Sequence, residues 1–523
     1  MLVIFALGLC LLFSIDFSNK TTSAEAQNKW MLGLNNTSIN NSIPCKVTIP
    51  SNPTLTKLDE LLFFFPIISS KCHYKKEDKF LLKKVSRLPQ NTTKIGFPFT
   101  NKNSNYYIGK LNEKRSALRD LVYENMINLD DEKVVKNKNF FEPEVILDYS
   151  NNSYGELKIN VQFNKTLSQL RKKQEQGHKS LYKNILFLFF DSISRSTFLH
   201  KMPKTSAWIE KFMRFDLEAK LKSYQFFKYH GFRHTTWFNV HPMIYGVPYD
   251  KKLFPENKSK TTSIINSLQN LGYVTGYSID SCTKEFFFIY KKDLRNTPNF
   301  YGMNDHEFLS VFCDPTYTFI DKDFGITNGD SSILQRCLYG KPVYEHMFEY
   351  LRQFWSKYSD NKKFFRIGLN YAHECLGQVL KVLDEPIREL LDEFYMKGYL
   401  NDTELIIVSD HGVLFFGVDS FLNPEEFKVN YHFPTLFLIV PYKKIKAYEE
   451  TYENLYQNQQ KLVTGYDIFN TMIHTAYGND HLAKNNSKVR SVFGVSLFTY
   501  INENKKNCRN YVEINYKKNC FCH

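Results

Sequence analysis

The sequence contains no tandem repeat and no low-complexity segment long enough to matter, which excludes solenoids, propellers and fibrous arrays. Glycine (22) and proline (18) are sparse among 523 residues, so no collagen-like or Pro/Gly-rich disordered class applies. No long basic block occurs either. The formal net charge of +14 is spread along the chain as a solvated lysine-rich surface, which favours anionic partners such as phosphate, sulfate or acidic glycans in a general way. Nucleic acid is not an expected partner. No apolar tail closes the chain, so a C-terminal anchor is not expected. What is present is material for packing: 43% of residues are hydrophobic and 16% aromatic. At this length two compact units are the natural expectation.

The chain opens on "MLVIFALGLCLLFSI", an uncharged apolar run that ends at Asp16. A membrane-crossing helix needs about 20 apolar residues, so the run fits the core of a signal peptide, with "AEA" at Ala24 to Ala26 as cleavage site. Retention as a short signal anchor is the alternative, and membrane contact is expected only in that case. Ten N-x-[ST] sequons support export: Asn19, Asn35, Asn36, Asn40, Asn91, Asn151, Asn164, Asn257, Asn401 and Asn485. Nine cysteines lie beyond the leader, at 45, 72, 282, 313, 337, 375, 508, 520 and 522, and in an oxidising compartment they imply disulfides and one odd thiol. The expected location is extracellular or the lumen of the secretory pathway, as a secreted glycoprotein.

Residues 28 to about 180 are polar, lysine-rich and sequon-rich, and end in the charged connector "QLRKKQEQGHKS". After Leu181 the texture changes. "NILFLFFD" is an apolar run of strand length, as expected of a strand covered on both faces. "TTSIINSLQNLG", "PVYEHMFEYLRQFWSKY" and "PIRELLDEFYMKGYL" then read as helices alternating with the strands "YVTGYSID", "FFRIGLNYAHE" and "ELIIVSDHG". This alternation predicts an α/β domain with a mostly parallel central sheet. The expected organisation is a leader (1–26), an N-terminal accessory region (27–180), the α/β domain (181–500) and a cysteine-containing tail (501–523).

In open α/β sheets ligands gather beyond the carboxyl ends of the strands. Polar residues directly after apolar runs are therefore the first candidates: Asp191, Asn370 to Glu374, and the pair Asp410-His411. Carboxylates and imidazoles are ligands for a divalent ion, which activates a hydroxyl nucleophile and stabilises charge on a transferring phosphoryl or sulfuryl group. Zinc is the first expectation, with manganese, magnesium and calcium as alternatives. Thr235 and Thr236, in "RHTTWFNVHP", offer the hydroxyl. Taken singly, each residue has a plainer explanation: a strand-end acid is as readily a turn or cap, and His234 and His241 sit in an aromatic segment that suits packing.

Seven ordered segments carry a family resemblance: "ILFLFFDSISRSTFLHKMPKT", "HTTWFN" followed by "MIYG", "NYAHE", "LNDTELIIVSDHG", "TGYDIFNTMIHTAYG", "GVSLF" and "NCRNYVEINYKKNCFC". Over roughly Cys45 to Cys522 the chain resembles a sulfatase-like branch of the alkaline phosphatase superfamily found in animals and expanded in nematodes. The resemblance implies an alkaline-phosphatase/sulfatase-like α/β/α sandwich with a metal at the strand ends. By position it makes Asp191, Asp410 and His411 metal ligands and Thr236 the nucleophile. It offers His373 and His432 as a second metal site or substrate contacts. Glu374, next to His373, suits orienting that imidazole, with a plain surface acid as the alternative. Asp467, in "TGYDIFNT", is expected to be structural.

The departures from the family pattern bear on activity. "TTWFN" replaces the usual N-T-x-P-N, which leaves Thr235 open beside Thr236, and Leu414 stands where an arginine follows "SDHG". No cysteine begins a C-x-P-x-R motif, so a formylglycine-dependent sulfatase is not expected. The leading expectation is a metal-dependent hydrolase or transferase of phosphate or sulfate esters, carried on a glycan or a lipid. The alternative is a catalytically inactive sulfatase-like glycoprotein that binds acidic glycans or a protein partner.

Overall fold

A computed structural model describes Cys72, 106–109, 126–128, 145–148, 156–175, 177, 179–213, 220–233, 236–248, 263–280, 304–308, 336–373, 377–412, 430–446, 449–478, 490–506 and 508. The leader, Cys45, Thr235, Glu374 and Leu414 lie outside the described residues. Four short strands come first, β1 (Tyr106–Gly109), β2 (Met126–Asn128), β3 (Val145–Asp148) and β4 (Glu156–Ile159). They form an antiparallel sheet in the order β2-β1-β3-β4.

The centre of the molecule is a seven-stranded sheet. Its strands are β5 (Asn184–Phe190), β6 (Leu221–Gln225), β7 (Tyr273–Ile279), β8 (His306–Phe308), β11 (Lys362–Leu369), β12 (Thr403–Ser409) and β13 (Leu436–Pro441). The intervening β9 (Cys337–Leu338) and β10 (Lys341–Pro342) make a separate two-stranded hairpin. The order is β6-β13-β12-β5-β11-β7-β8, parallel throughout except that β13 runs against both its neighbours.

Helices cover both faces, so the fold is an α/β/α sandwich, and the period of two along a strand divides the core. Leu186, Leu188 and Phe190 of β5 join Phe365, Ile367, Leu405 and Ile407 on one face. There they meet α3 (Pro203–Lys211), α6 (Val343–Lys357) and α7 (Asp384–Met396), through residues such as Ile209, Met347, Phe354 and Leu390. Ile185, Phe187 and Phe189 point the other way, with Ile406 and Val408. They pack against α4 (Thr236–Tyr245), α5 (Ile264–Asn270) and α10 (Gly465–Tyr477) through Met243, Leu268 and Met472. This is why the central strands read as unbroken apolar runs: neither face is left to water.

The stretch that reads as a charged connector forms a helix, α1 (Lys165–Glu175). Its Arg171 is buried and paired with Asp305, just before β8. A disulfide joins Cys72 to Cys337, 265 residues apart, and Cys508 is also disulfide-bonded. Asp467 caps α10: its Oδ2 accepts from the N–H and hydroxyl of Thr464, and its Oδ1 accepts from the Val495 N–H and pairs with Lys506. Among the described residues no helix is long and apolar enough to cross a membrane.

Candidate metal centre

Strand register sets the site. Thr403↔Asn184 through Ser409↔Phe190 pair β12 with β5 in parallel, so the residues that follow, Asp410 and Asp191, leave adjacent strands at the same level. β11 runs level on the other side of β5, and the Asp191 N–H donates to Leu369 O (3.0 Å). Two neighbouring parallel strands that each end in an aspartate thus place two carboxylates side by side. Both are buried.

His411 completes a trio. Asp191, Asp410 and His411 each present a ligand atom, and these atoms lie within 4.8 Å of one another. The imidazole orientation is fixed by its own next residue, because Nδ1 lies 2.8 Å from Gly412 O and a carbonyl can only accept. The proton is therefore on Nδ1. Nε2 faces the acids, 3.3 Å from Asp410 Oδ2 and 3.9 Å from Asp191 Oδ1. The Tyr431 ring stacks on the imidazole with centroids 5.6 Å apart.

The two oxygens of Asp410 are used differently. Oδ1 accepts from the N–H groups of Ser192 (3.1 Å) and His411 (2.9 Å). Oδ2 is buried with no well-formed hydrogen bond from any described residue. Burial pushes the Asp410 carboxyl above its ordinary range; His411 opposes this, the Asp191 charge adds to it, and the Ser192 N–H and Thr236 side chain pull it down again. Among the described residues no lysine or arginine pairs with either carboxylate. Three lone-pair atoms converging in a buried space without a fixed cation fit a divalent ion by ligand type and by number.

Thr236 is the first residue of α4 and is buried, close enough to Asp410 to lower its pKa. The loop before it is held by Asn239, whose Oδ1 accepts from the Phe232 N–H (2.5 Å) and Arg233 N–H (3.3 Å) and whose Nδ2 donates to Arg233 O (2.8 Å). Two glycines allow the close approaches around the trio. A Cβ on Gly231 would lie 2.6 Å from Asp410 O, and one on Gly412 would lie 2.1 Å from Asn430 O.

The structure therefore brings Asp191, Asp410, His411 and Thr236 into one place. His432 and His373 stay outside the trio. His432 is buried and braces Gly231: its ring Nδ1 donates to Gly231 O (3.2 Å), while its own carbonyl accepts from the Gly231 N–H (2.9 Å). His373 is half-buried at the end of β11, with its N–H donating to Asn370 O (3.0 Å). Sequence reasoning passes over Ser192, which touches both acids, because nothing in a serine announces its backbone angle. It also passes over Gly231, whose signal is only a glycine between aromatic residues.

Fold and trio together define an α/β/α sandwich with a candidate metal centre at the carboxyl ends of its parallel strands. Residues 99–523 match the family described as "Protein of unknown function (DUF229)", and the chain belongs to that family. No curated protein matches it by sequence. Among solved structures it is similar to a protein in the alkaline phosphatase superfamily from Vibrio parahaemolyticus, at 16% identity and a TM-score of 0.37, over 64% of this chain and 79% of that one. It is also similar to the C-terminal periplasmic domain of EcEptC from Escherichia coli in complex with Zn, at 14% identity and a TM-score of 0.39, over 60% and 88% of the two chains. A third is the lipoteichoic acid synthase LtaP from Listeria monocytogenes, at 12% identity and a TM-score of 0.33, over 53% and 71%.

Proposed function

We propose that this protein is a metal-dependent hydrolase or transferase of phosphate or sulfate esters, with Asp191, Asp410 and His411 as metal ligands and Thr236 as nucleophile. The observation that carries the reading is the facing of His411 Nε2 by two buried carboxylate oxygens, at 3.3 and 3.9 Å, with no lysine or arginine among the described residues to balance them. Zinc suits a site of imidazole and carboxylate donors. When bound, such an ion acidifies a hydroxyl and draws charge from a transferring group. Thr236 then attacks phosphorus or sulfur, the ester P–O or S–O bond breaks, and the alcohol leaves with a proton. Water, or a second alcohol, accepts the group from Thr236 and restores the hydroxyl. His373, half-buried at the end of β11, is assigned to the substrate side of the site. The disulfide between Cys72 and Cys337 supports an extracellular or lumenal location, where such bonds persist.

The test is metal analysis of the purified full-length protein, followed by hydrolysis of aryl phosphates, phosphodiesters and aryl sulfates with Thr236→Ala as control. One bound divalent ion per chain, and turnover that disappears in the variant, are expected. A metal-free protein, or turnover equal to that of the variant, overturns the reading.

A further inference from the structure

We propose that Ser192 is the positioning residue of this centre: one residue holds both carboxylates, and its left-handed backbone persists for that purpose. The inference rests on the reading of Asp191, Asp410 and His411 as metal ligands, and deepens it. Ser192 comes two residues after the end of β5, next to Asp191, and is buried. Its N–H donates to Asp410 Oδ1 (3.1 Å), and its hydroxyl donates to Asp191 Oδ1 (2.9 Å). The acids come from two strands, yet both are tied to the same residue.

The backbone supplies the second observation. Ser192 has φ +62°, and among the described residues only it and Tyr339 adopt positive φ without being glycine. An L-residue in this region is strained, and glycine would remove that strain. A serine at a position where glycine would be less strained points to its hydroxyl. The sharp reversal after Phe190 lets the N–H and Oγ of one residue serve carboxylates on adjacent strands. With Asp410 Oδ1 occupied by Ser192 and His411 N–H groups, Oδ2 is the oxygen left to face His411 Nε2. Ser192 acts through the ligands, as outer hydrogen-bond partners of metal-bound carboxylates do.

This assignment separates stability from metal affinity, because Ser192→Gly relieves the backbone while removing only the hydroxyl. The experiment measures zinc dissociation constants by competition with a chromophoric chelator, cobalt(II) absorption spectra, and melting of the metal-free full-length chain for wild type, Ser192→Gly and Ser192→Ala. We expect zinc affinity to fall about 10- to 100-fold in both variants, with an altered cobalt spectrum, as for other partners of metal ligands. Metal-free Ser192→Gly is expected to melt at or above the wild-type temperature. Undiminished zinc affinity in Ser192→Gly overturns the inference, as does an affinity loss that merely accompanies destabilisation of the metal-free chain. A wild-type protein that binds neither zinc nor cobalt overturns the underlying metal reading, an outcome distinct from wild type and variants binding alike.

Discussion

At the amino ends of the central strands, Lys363 Nζ donates to the carbonyl oxygens of Tyr358 (3.0 Å) and Asn361 (3.2 Å), and Lys362 pairs with Glu175. Asp305 takes the Arg171 guanidinium on one side and the Thr275 N–H (2.9 Å) on the other. At the carboxyl ends of β5 and β12 in the same sheet, Asp191, Asp410 and His411 are buried as deeply, but their ligand atoms turn toward one another. Burial of polar groups is thus common to both ends. Among the described residues, the carboxyl end alone leaves convergent lone pairs without a fixed cation. The contrast argues that a site is recognised by what its buried groups leave unspent, since a buried charge is otherwise paired or neutralised.

The largest loss of turnover is expected at Thr236, the proposed nucleophile. Thr236→Ala should lower turnover by roughly 10⁴-fold, about 5.5 kcal/mol of barrier, while metal content and melting temperature stay at wild-type values. Steady-state kinetics on the best generic ester, with metal analysis of the same samples, checks this. An active variant would move the nucleophile to another hydroxyl. The opposite profile is expected of Asp305→Ala at the amino end. It leaves the Arg171 guanidinium buried without its acid, so stability should fall by about 3–5 kcal/mol, measured by denaturant unfolding. Zinc affinity of the molecules that remain folded should be unchanged, because Asp305 belongs to the other end of the sheet.

Metal removal probes the carboxyl end directly. Dialysis against a chelator should lower the melting temperature, and zinc should restore it. At a free concentration of 100 times the dissociation constant, a single site contributes about 2.7 kcal/mol. Asp410→Ala should abolish this response, whereas Asp305→Ala should retain it.

The two ends were unequally legible in the sequence. Asp191 and Asp410-His411 follow the runs "NILFLFF" and "ELIIVS", and the strand-end rule finds them because register in a parallel sheet puts such ends level. The α/β alternation was legible for the same reason, since strands buried on both faces cannot hide their apolar runs. Arg171 was not. It lies in a lysine-rich stretch read as a connector, and its partner Asp305 is 134 residues away, so neither residue signals the pair. The strands β1 to β4 are three or four residues each, too short for a period to show in the sequence. Ser192 is not legible either, because its role depends on a backbone angle and on strand pairing, neither of which residue type encodes.

Glu404 is the amino-end residue that tests the rule most finely. It lies on β12, fully buried, and among the described residues no lysine or arginine pairs with it. Burial raises its pKa from 4.5 to about 8, with the Thr475 side chain opposing the shift slightly. The group therefore stays protonated at neutral pH, a single acid neutralised by a proton, where the carboxyl-end acids converge with an imidazole. Below pH 4.5 folded and unfolded chains are both protonated, and the residue leaves stability unaffected by pH. Between 4.5 and about 8 the unfolded chain releases a proton that the folded chain keeps, so stability declines as pH rises through that window. From pH 6 to pH 8 wild type should lose about 2 kcal/mol relative to Glu404→Gln, whose amide has no charge to take on. Urea unfolding of both proteins across this range, with chelator present so that metal binding does not contribute, reads the difference directly. Parallel pH profiles would mean that Glu404 is already ionised and held by a cation, and the amino end would then contain no exception to its pairing rule.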